Sequence, residues 1–278
     1  VESALAAPFA LYLGRKSMQE IDASGVMSCR GLIVAMLAST NASGGAYSSS
    51  YGATFVDACK TFGVDTKGVQ RKLDEEAKVR QWNATRDIPW HEVDALPDDL
   101  EKATCQLATV LTEVEFVAGD FPARWMWRIP PDFFEAKNFL ATQIVDEARH
   151  MEVFRKRALA GGGGLLHASP ASEWALKSIL EAPTHTMGTF LLNLLGEGLV
   201  LSIFRSGEFI ARTPADKEIF RLCMQDEARH VSYGTLELAN HLEHHPDRAA
   251  ATEQLHRFAD LGEQIILTAL TDPTLVEP

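Results

Sequence analysis

The sequence predicts an all-helical chain, a four-helix bundle with additional N-terminal and C-terminal helices. Three observations predict it. Apolar residues recur at Leu107, Val110, Leu111, Val114, Val117 and Phe121, the spacing of one buried helix face. Helix punctuation separates the long apolar runs, at Pro130-Pro131, Gly161 to Gly164, Pro183, Thr213-Pro214 and Pro246, and no segment reads convincingly as a strand. Finally, the pentapeptide Asp-Glu-Ala-Arg-His occurs twice, at Asp146–His150 and Asp226–His230, each time inside an apolar run.

In chain order, residues 1–96 read as an N-terminal extension and residues 97–278 as the bundle, in one structural domain overall. Gly, Ser and Ala dominate from Ser39 to Gly52, a loop flanked by short helical segments. Charges dominate from Thr66 to Val79. From Gln81 to Trp90, Asp and Pro break any helix while two tryptophans need cover, which predicts a strap across the bundle. Asp98 and Asp99 are expected to cap the first long helix and complement its dipole, with Pro122 kinking or ending it. A second helix is expected from about Phe133 to Ala160, stopped by the four glycines. A short helix follows from Ala171 to Glu181. The third long helix, from about His185 to Arg212, is apolar nearly all round and so central. The fourth starts at Thr213-Pro214 and ends near His244, His245 and Pro246, and a last helix from about Ala249 to Leu270 covers the outside. His241, His244 and His245 fit a helix C-terminus, and His185 a bundle end, without a second metal site.

Composition sets bounds. The 46% hydrophobic content is that of an ordinary globular protein, and a net charge of −12 argues against nucleic acid as a partner. Four scattered cysteines without a Cys-x-x-Cys pair suggest a reducing, cytoplasmic setting, with Cys105 and Cys223 as core thiols. No uninterrupted apolar run reaches the length of a membrane span. Met27 to Ala42 imitates a signal peptide, but its internal position and short apolar centre weigh against targeting.

The repeat carries the chemistry. Glu147 with His150, and Glu227 with His230, are three residues apart and share a helix face. A solvated charged face would need water, whereas these charges lie among Ile144, Val145, Met151 and Phe154, and among Leu222, Met224, Val231 and Tyr233. Buried carboxylates beside imidazoles require compensation, which a bound cation supplies. Two such pairs, each joined by a Glu from another helix, make a di-metal bundle site. On the third helix Glu197 is the lone carboxylate from Phe190 to Phe204, with no partner evident nearby. The first helix offers Glu113 and Glu115. Glu197 to Glu227 spans 30 residues, Glu115 to Glu147 spans 32, and Glu113 to Glu147 spans 34, so level arms favour Glu115.

The expected ligands are therefore Glu115, Glu147, His150, Glu197, Glu227 and His230. Four carboxylates and two imidazoles suit two iron ions, or manganese, better than zinc. Asp146 and Asp226 are placed to accept the imidazole N–H of a ligating His on their own or the facing helix, with Arg149 and Arg229 holding those aspartates. Positions one turn from the ligands, Gln143, Phe154, Asn193, Leu201 and Cys223 with Ala118 and Gly119, are expected to line a mainly apolar substrate pocket. Gly196 and Gly198 flank Glu197 and weaken its helix, which would let that ligand shift.

Over about residues 98–245 the chain resembles the ferritin-like di-iron carboxylate proteins, which include the ribonucleotide reductase small subunit and bacterial multicomponent monooxygenase hydroxylases. The duplicated Asp-Glu-Ala-Arg-His is most similar to the monooxygenase pattern. Glu115 to Arg124 (EFVAGDFPAR) and Leu140 to His150 (LATQIVDEARH) also resemble small stand-alone di-iron oxygenases. The resemblance implies a di-iron site that activates O2 and oxidises a small hydrophobic or aromatic substrate, by hydroxylation, N-oxygenation or desaturation. It further implies an external electron donor such as a ferredoxin or flavin reductase, and a homodimer. Two departures narrow it. Phe154 stands where the reductase small subunit carries its radical tyrosine, and Cys223 stands where aminoarene N-oxygenases add a histidine. A ferroxidase or iron-handling protein, a di-manganese redox enzyme and a non-enzymatic helical module are the competing readings.

Overall fold

The computed structural model describes residues 66–270. The expected loop at Ser39–Gly52, its flanking helices, the Met27–Ala42 stretch, Cys29 and Cys59 lie outside the described residues. Within them the secondary structure is helical, without a strand. The helices are α1 (Thr66–Val79), α2 (Asp98–Trp125), α3 (Phe134–Leu159), α4 (Pro170–Leu180), α5 (His185–Ile210), α6 (Pro214–His244) and α7 (Arg248–Leu270).

Helices α2 and α3 form one closely packed pair and α5 and α6 the other. α1 lies against α3 and α6, while α4 and α7 pack together beside α2 and α5. The ends follow local chemistry. Thr213 caps α6 by accepting from the Asp216 N–H at 3.0 Å, with Pro214 in the first turn. Gly161 ends α3 in the left-handed region (φ 63°), which a side chain would strain.

Two expectations about α2 need correction. Pro97, not an aspartate, occupies its N-cap, and Asp98 and Asp99 lie inside the first turn, where they complement the dipole. Pro122 neither ends nor breaks the helix, which continues to Trp125. The ring lies one turn from the C-terminus, where only the bond to the Ala118 carbonyl is forfeited.

Along α2, α5 and α6 the carboxylates separate two apolar layers. Leu111, Phe154, Phe204 and Ile219 belong to one layer; Phe121, Leu191, Leu195 and Leu238 belong to the other. Glu115, Glu147, Glu197 and Glu227 fall between them, each at most 3% exposed. Helix α5 is long and apolar enough to span a membrane by length and composition, but 61% of its most apolar window is buried inside the protein. Its apolarity is that of a helix touching neighbours on most sides.

Residues 81–90 run between α1 and α2 and pack on the bundle. Trp82 is 8% exposed and Ile88 3%, both packed in the layer with Phe154 and Phe204.

Candidate metal centre

The three-residue spacing within each pentapeptide turns Glu and His inward together, and the facing helices bring the two pairs into contact. His150 Nδ1 lies 3.1 Å from Glu147 Oε2, 3.1 Å from Glu227 Oε1 and 3.6 Å from Glu115 Oε2. His230 Nδ1 lies 3.0 Å from Glu147 Oε1, 3.4 Å from Glu227 Oε2 and 3.8 Å from Glu197 Oε1. Both imidazoles are fully buried. Glu115 thus joins the cluster, while Glu113 is exposed on the other face of α2.

The ligand-competent atoms form two groups: Glu115, Glu147, His150 and Glu227, and Glu147, Glu197, Glu227 and His230. Glu147 and Glu227 belong to both. These six residues fit a pair of cations on the protein's own chemistry. Glu115 Oε1, Glu147 Oε1, Glu227 Oε2 and His230 Nδ1 are buried without a hydrogen-bond partner, a costly state for atoms removed from water. Even the 3.0 Å approach of His230 to Glu147 lacks hydrogen-bond geometry. Carboxylates and imidazoles converging in this way are hard-to-borderline ligands for Fe or Mn.

Electrostatics agree. Burial, reinforced by the neighbouring carboxylates, holds the Glu115 and Glu197 carboxyls well above the usual range. Burial acts against charge on His150 and His230 too, but Cys223, Asp226 and Glu115 outweigh it at His150, and Glu147, Asp146 and Glu227 at His230, so both imidazoles are raised. For Glu147 burial is again outweighed, by both histidines, and its carboxyl lies low. A cluster that holds protons in this way must release them to a cation, so metal loading and proton release are linked.

The pentapeptide aspartates reach across the bundle. Asp226 on α6 accepts from His150 Nε2 at 3.1 Å, and Asp146 on α3 accepts from His230 Nε2 at 3.2 Å. Each imidazole therefore keeps Nδ1 for the carboxylate cluster, and its tautomer is fixed by the facing helix. Arg149 and Arg229 each donate to both aspartates, at 2.9 Å from Arg149 to Asp226 and 3.1 Å from Arg229 to Asp146. The strap completes this network. Trp82 Nε1 donates to Asp226 Oδ2 at 2.7 Å and Gln81 Nε2 to Asp146 Oδ1 at 3.3 Å. The indole also stacks near the His150 ring, with centroids 6.2 Å apart, and lies under the Arg149 guanidinium.

Glu197 is not without partners, contrary to the sequence expectation. Gln143 Nε2 donates to its Oε1 at 2.8 Å and Asn193 Nδ2 to its Oε2 at 2.9 Å. Just before it, Phe190–Gly196 is π-helical, a local widening that recurs at functional sites. Both amides were legible in the sequence as polar residues in apolar runs, but as pocket residues and not as a clamp.

The expected pocket residues thus sit differently. Gln143 and Asn193 spend their amides on Glu197, and Phe154 packs on Phe204 and Phe220. Cys223 is fully buried against His150, its thiol pushed up to about 12 by burial. Leu201 is half-buried on α5, Ala118 is buried, and Gly119 backs onto Glu147. None of them lines the cavity of about 370 Å³ found further along the bundle, beside Trp125, His185 and Tyr233. The amides satisfy a buried acid, and Ala118, Phe154 and Cys223 fill the core.

No family model matches the chain, and no curated protein matches it. Solved structures do. An R2-like ligand-binding oxidase with an aerobically reconstituted Mn/Fe cofactor aligns with a TM-score of 0.60 at 20% identity, covering 75% of this chain and 79% of that one. The R2-like ligand-binding oxidase from Sulfolobus acidocaldarius aligns with a TM-score of 0.55 at 16% identity, covering 74% and 89%. The chain has their ferritin-like fold. In the ferritin-like frame the four long helices are α2, α3, α5 and α6, and the carboxylate and histidine cluster lies where all four meet.

Proposed function

We propose that this protein is a di-metal oxidoreductase that uses O2 to oxidise a small organic substrate. The observation that carries the reading is the pair of overlapping buried ligand groups sharing Glu147 and Glu227 inside a ferritin-like bundle. When bound, two redox-active ions there supply electrons to O2. The chain's own residues do the rest. Glu115, Glu197, His150 and His230 would hold one ion or the other, and Glu147 and Glu227 both. Asp146 and Asp226 orient the imidazoles. The two apolar layers keep bulk water away from the cluster, which strengthens every charge interaction inside it.

The two ions need not be alike. Glu197 carries an amide clamp and a π-helical neighbour, and Glu115 has neither. Unequal surroundings favour unequal ions, and one of the solved structures of this fold is described with a Mn/Fe cofactor. One manganese and one iron is therefore the second reading beside two irons. An external electron donor, a homodimeric assembly and a cytoplasmic setting belong to the same proposal.

The test is metal analysis of protein isolated with its native metals, followed by O2 uptake after reduction. About two Fe, or one Mn and one Fe, per chain with rapid O2 consumption would support the reading. Zinc, or no metal, would sink it.

A further inference from the structure

Among the described residues, the buried polar atoms without a hydrogen-bond partner outside the metal cluster and its arginines belong to Asp74, Trp125, Thr189, Tyr233, Thr235 and His241, and four of these six residues line one cavity. Trp125 Nε1, Thr189 Oγ1 and His241 Nε2 have no hydrogen-bond partner, and all three residues line the 370 Å³ cavity near the α2 C-terminus. Trp125 is 7% exposed and Thr189 1%. A cavity of that size holds a one- or two-ring molecule. Orphaned donors around a space that large mark a place built to be hydrogen-bonded by something else.

The lining defines what that is. Trp125, Phe133, His185 and Tyr233 supply rings, so the body of the ligand is flat and apolar. The Trp125 N–H can only donate, so the ligand presents an oxygen that accepts. Thr189 and His241 can donate or accept, which suits a hydroxyl or a carbonyl. The two formal charges on the lining, Arg128 and Glu237, offset each other, so the wall offers a ligand no net charge. The Arg128 guanidinium at the rim already lies 4.9 Å from the centres of the Trp125 and Trp127 rings, and the Glu237 carboxylate forms part of the wall. Burial lowers the pKa of both His185 and His241, so neither offers a permanent cation.

We infer that this cavity binds a neutral aromatic compound bearing a hydroxyl or carbonyl oxygen, held by Trp125, Thr189 and His241. Its inner wall leads to the metal centre. Tyr233 stacks on Phe139 with centroids 4.5 Å apart, and Phe139 meets the His230 ring edge-on at 6.2 Å. That this ligand is the compound oxidised rests on the function proposed above; that it binds does not.

Equilibrium dialysis of the full-length protein against 2-naphthol, naphthalene and 2-naphthoate tests the inference, with and without bound metal. Saturable binding of 2-naphthol about tenfold tighter than of either analogue is expected, the equivalent of one good hydrogen bond. Trp125→Phe and Thr189→Val should each weaken 2-naphthol by about tenfold. Ala136→Leu, which fills the cavity, should abolish binding, and all three variants should keep the parent's metal content. No saturable binding of 2-naphthol, preference for the naphthoate or the plain hydrocarbon, or binding unchanged in the variants would overturn the inference. A protein that binds 2-naphthol but takes no iron or manganese would sink the proposed function and leave the cavity assignment standing; the reverse pattern would do the opposite.

Discussion

In the half of the centre built from α2 and α3, Glu115 rises from an α-helix and faces the His150 imidazole without an amide clamp; in the half built from α5 and α6, Glu197 follows a π-helical turn and both its oxygens are held by amides. The pentapeptides themselves are identical. The differences lie one or two turns away, at positions related by an offset of 80: Gln143 against Cys223, Phe154 against Gly234, and Arg157 against Glu237. Each half also serves the other. Gln143 from α3 holds Glu197, Cys223 from α6 sits beside His150, and the two aspartates exchange histidines. A duplicated motif thus sets a symmetric frame, and its neighbours make the two ligand groups unequal.

The sharpest break of that comparison comes from the shared carboxylates. Glu147→Gln and Glu227→Gln should each reduce bound metal from about two ions per chain to about none, whereas Glu115→Gln and Glu197→Gln should each leave about one. Metal analysis by mass spectrometry distinguishes them, and equal losses in all four variants would mean that the halves do not load separately.

Next come the crossed aspartates. Asp146→Asn and Asp226→Asn should each weaken metal binding by about 10- to 100-fold, with the larger effect on the ion held by the facing helix's histidine. Competition with a chelator would measure it.

Gly234→Ala probes a contact present in the second half alone. A Cβ there would meet the Asn193 Cβ at 2.4 Å, so α5 must move, at a cost of about 2 kcal/mol in thermal unfolding. An unchanged midpoint would show that the π-helical segment is free to shift.

The smallest effect is expected from the strap. Trp82→Phe removes one of several donors to Asp226 and should cost about 1 kcal/mol, because Arg149, Arg229 and His150 still hold that carboxylate.

Much of the centre was readable before any fold. Helical spacing and punctuation located α2 to α7 to within a few residues, because period and breakers are local properties. Glu197 stood out as an acid in an apolar run, and arm length preferred Glu115 to Glu113, which the structure leaves on the exposed face. Gln143 and Asn193 were visible as polar residues near the ligands, but their bonds to Glu197 were not. Which group an amide satisfies depends on what faces it from another helix. For the same reason the strap's two tryptophans were legible as residues seeking cover, while the bond from Trp82 to Asp226, 144 positions away, was not.

The sequence alone determined the helices, the inward pairing of each Glu with its His, and the count of carboxylates available to two cations. All of these follow from spacing along a single helix, where about 3.6 residues make a turn. Only the tertiary structure decided which aspartate orients which histidine, which acids belong to both groups, what holds Glu197, and where a cavity remains. Those are contacts between segments far apart in the chain, set by how four helices meet, and no local pattern records them.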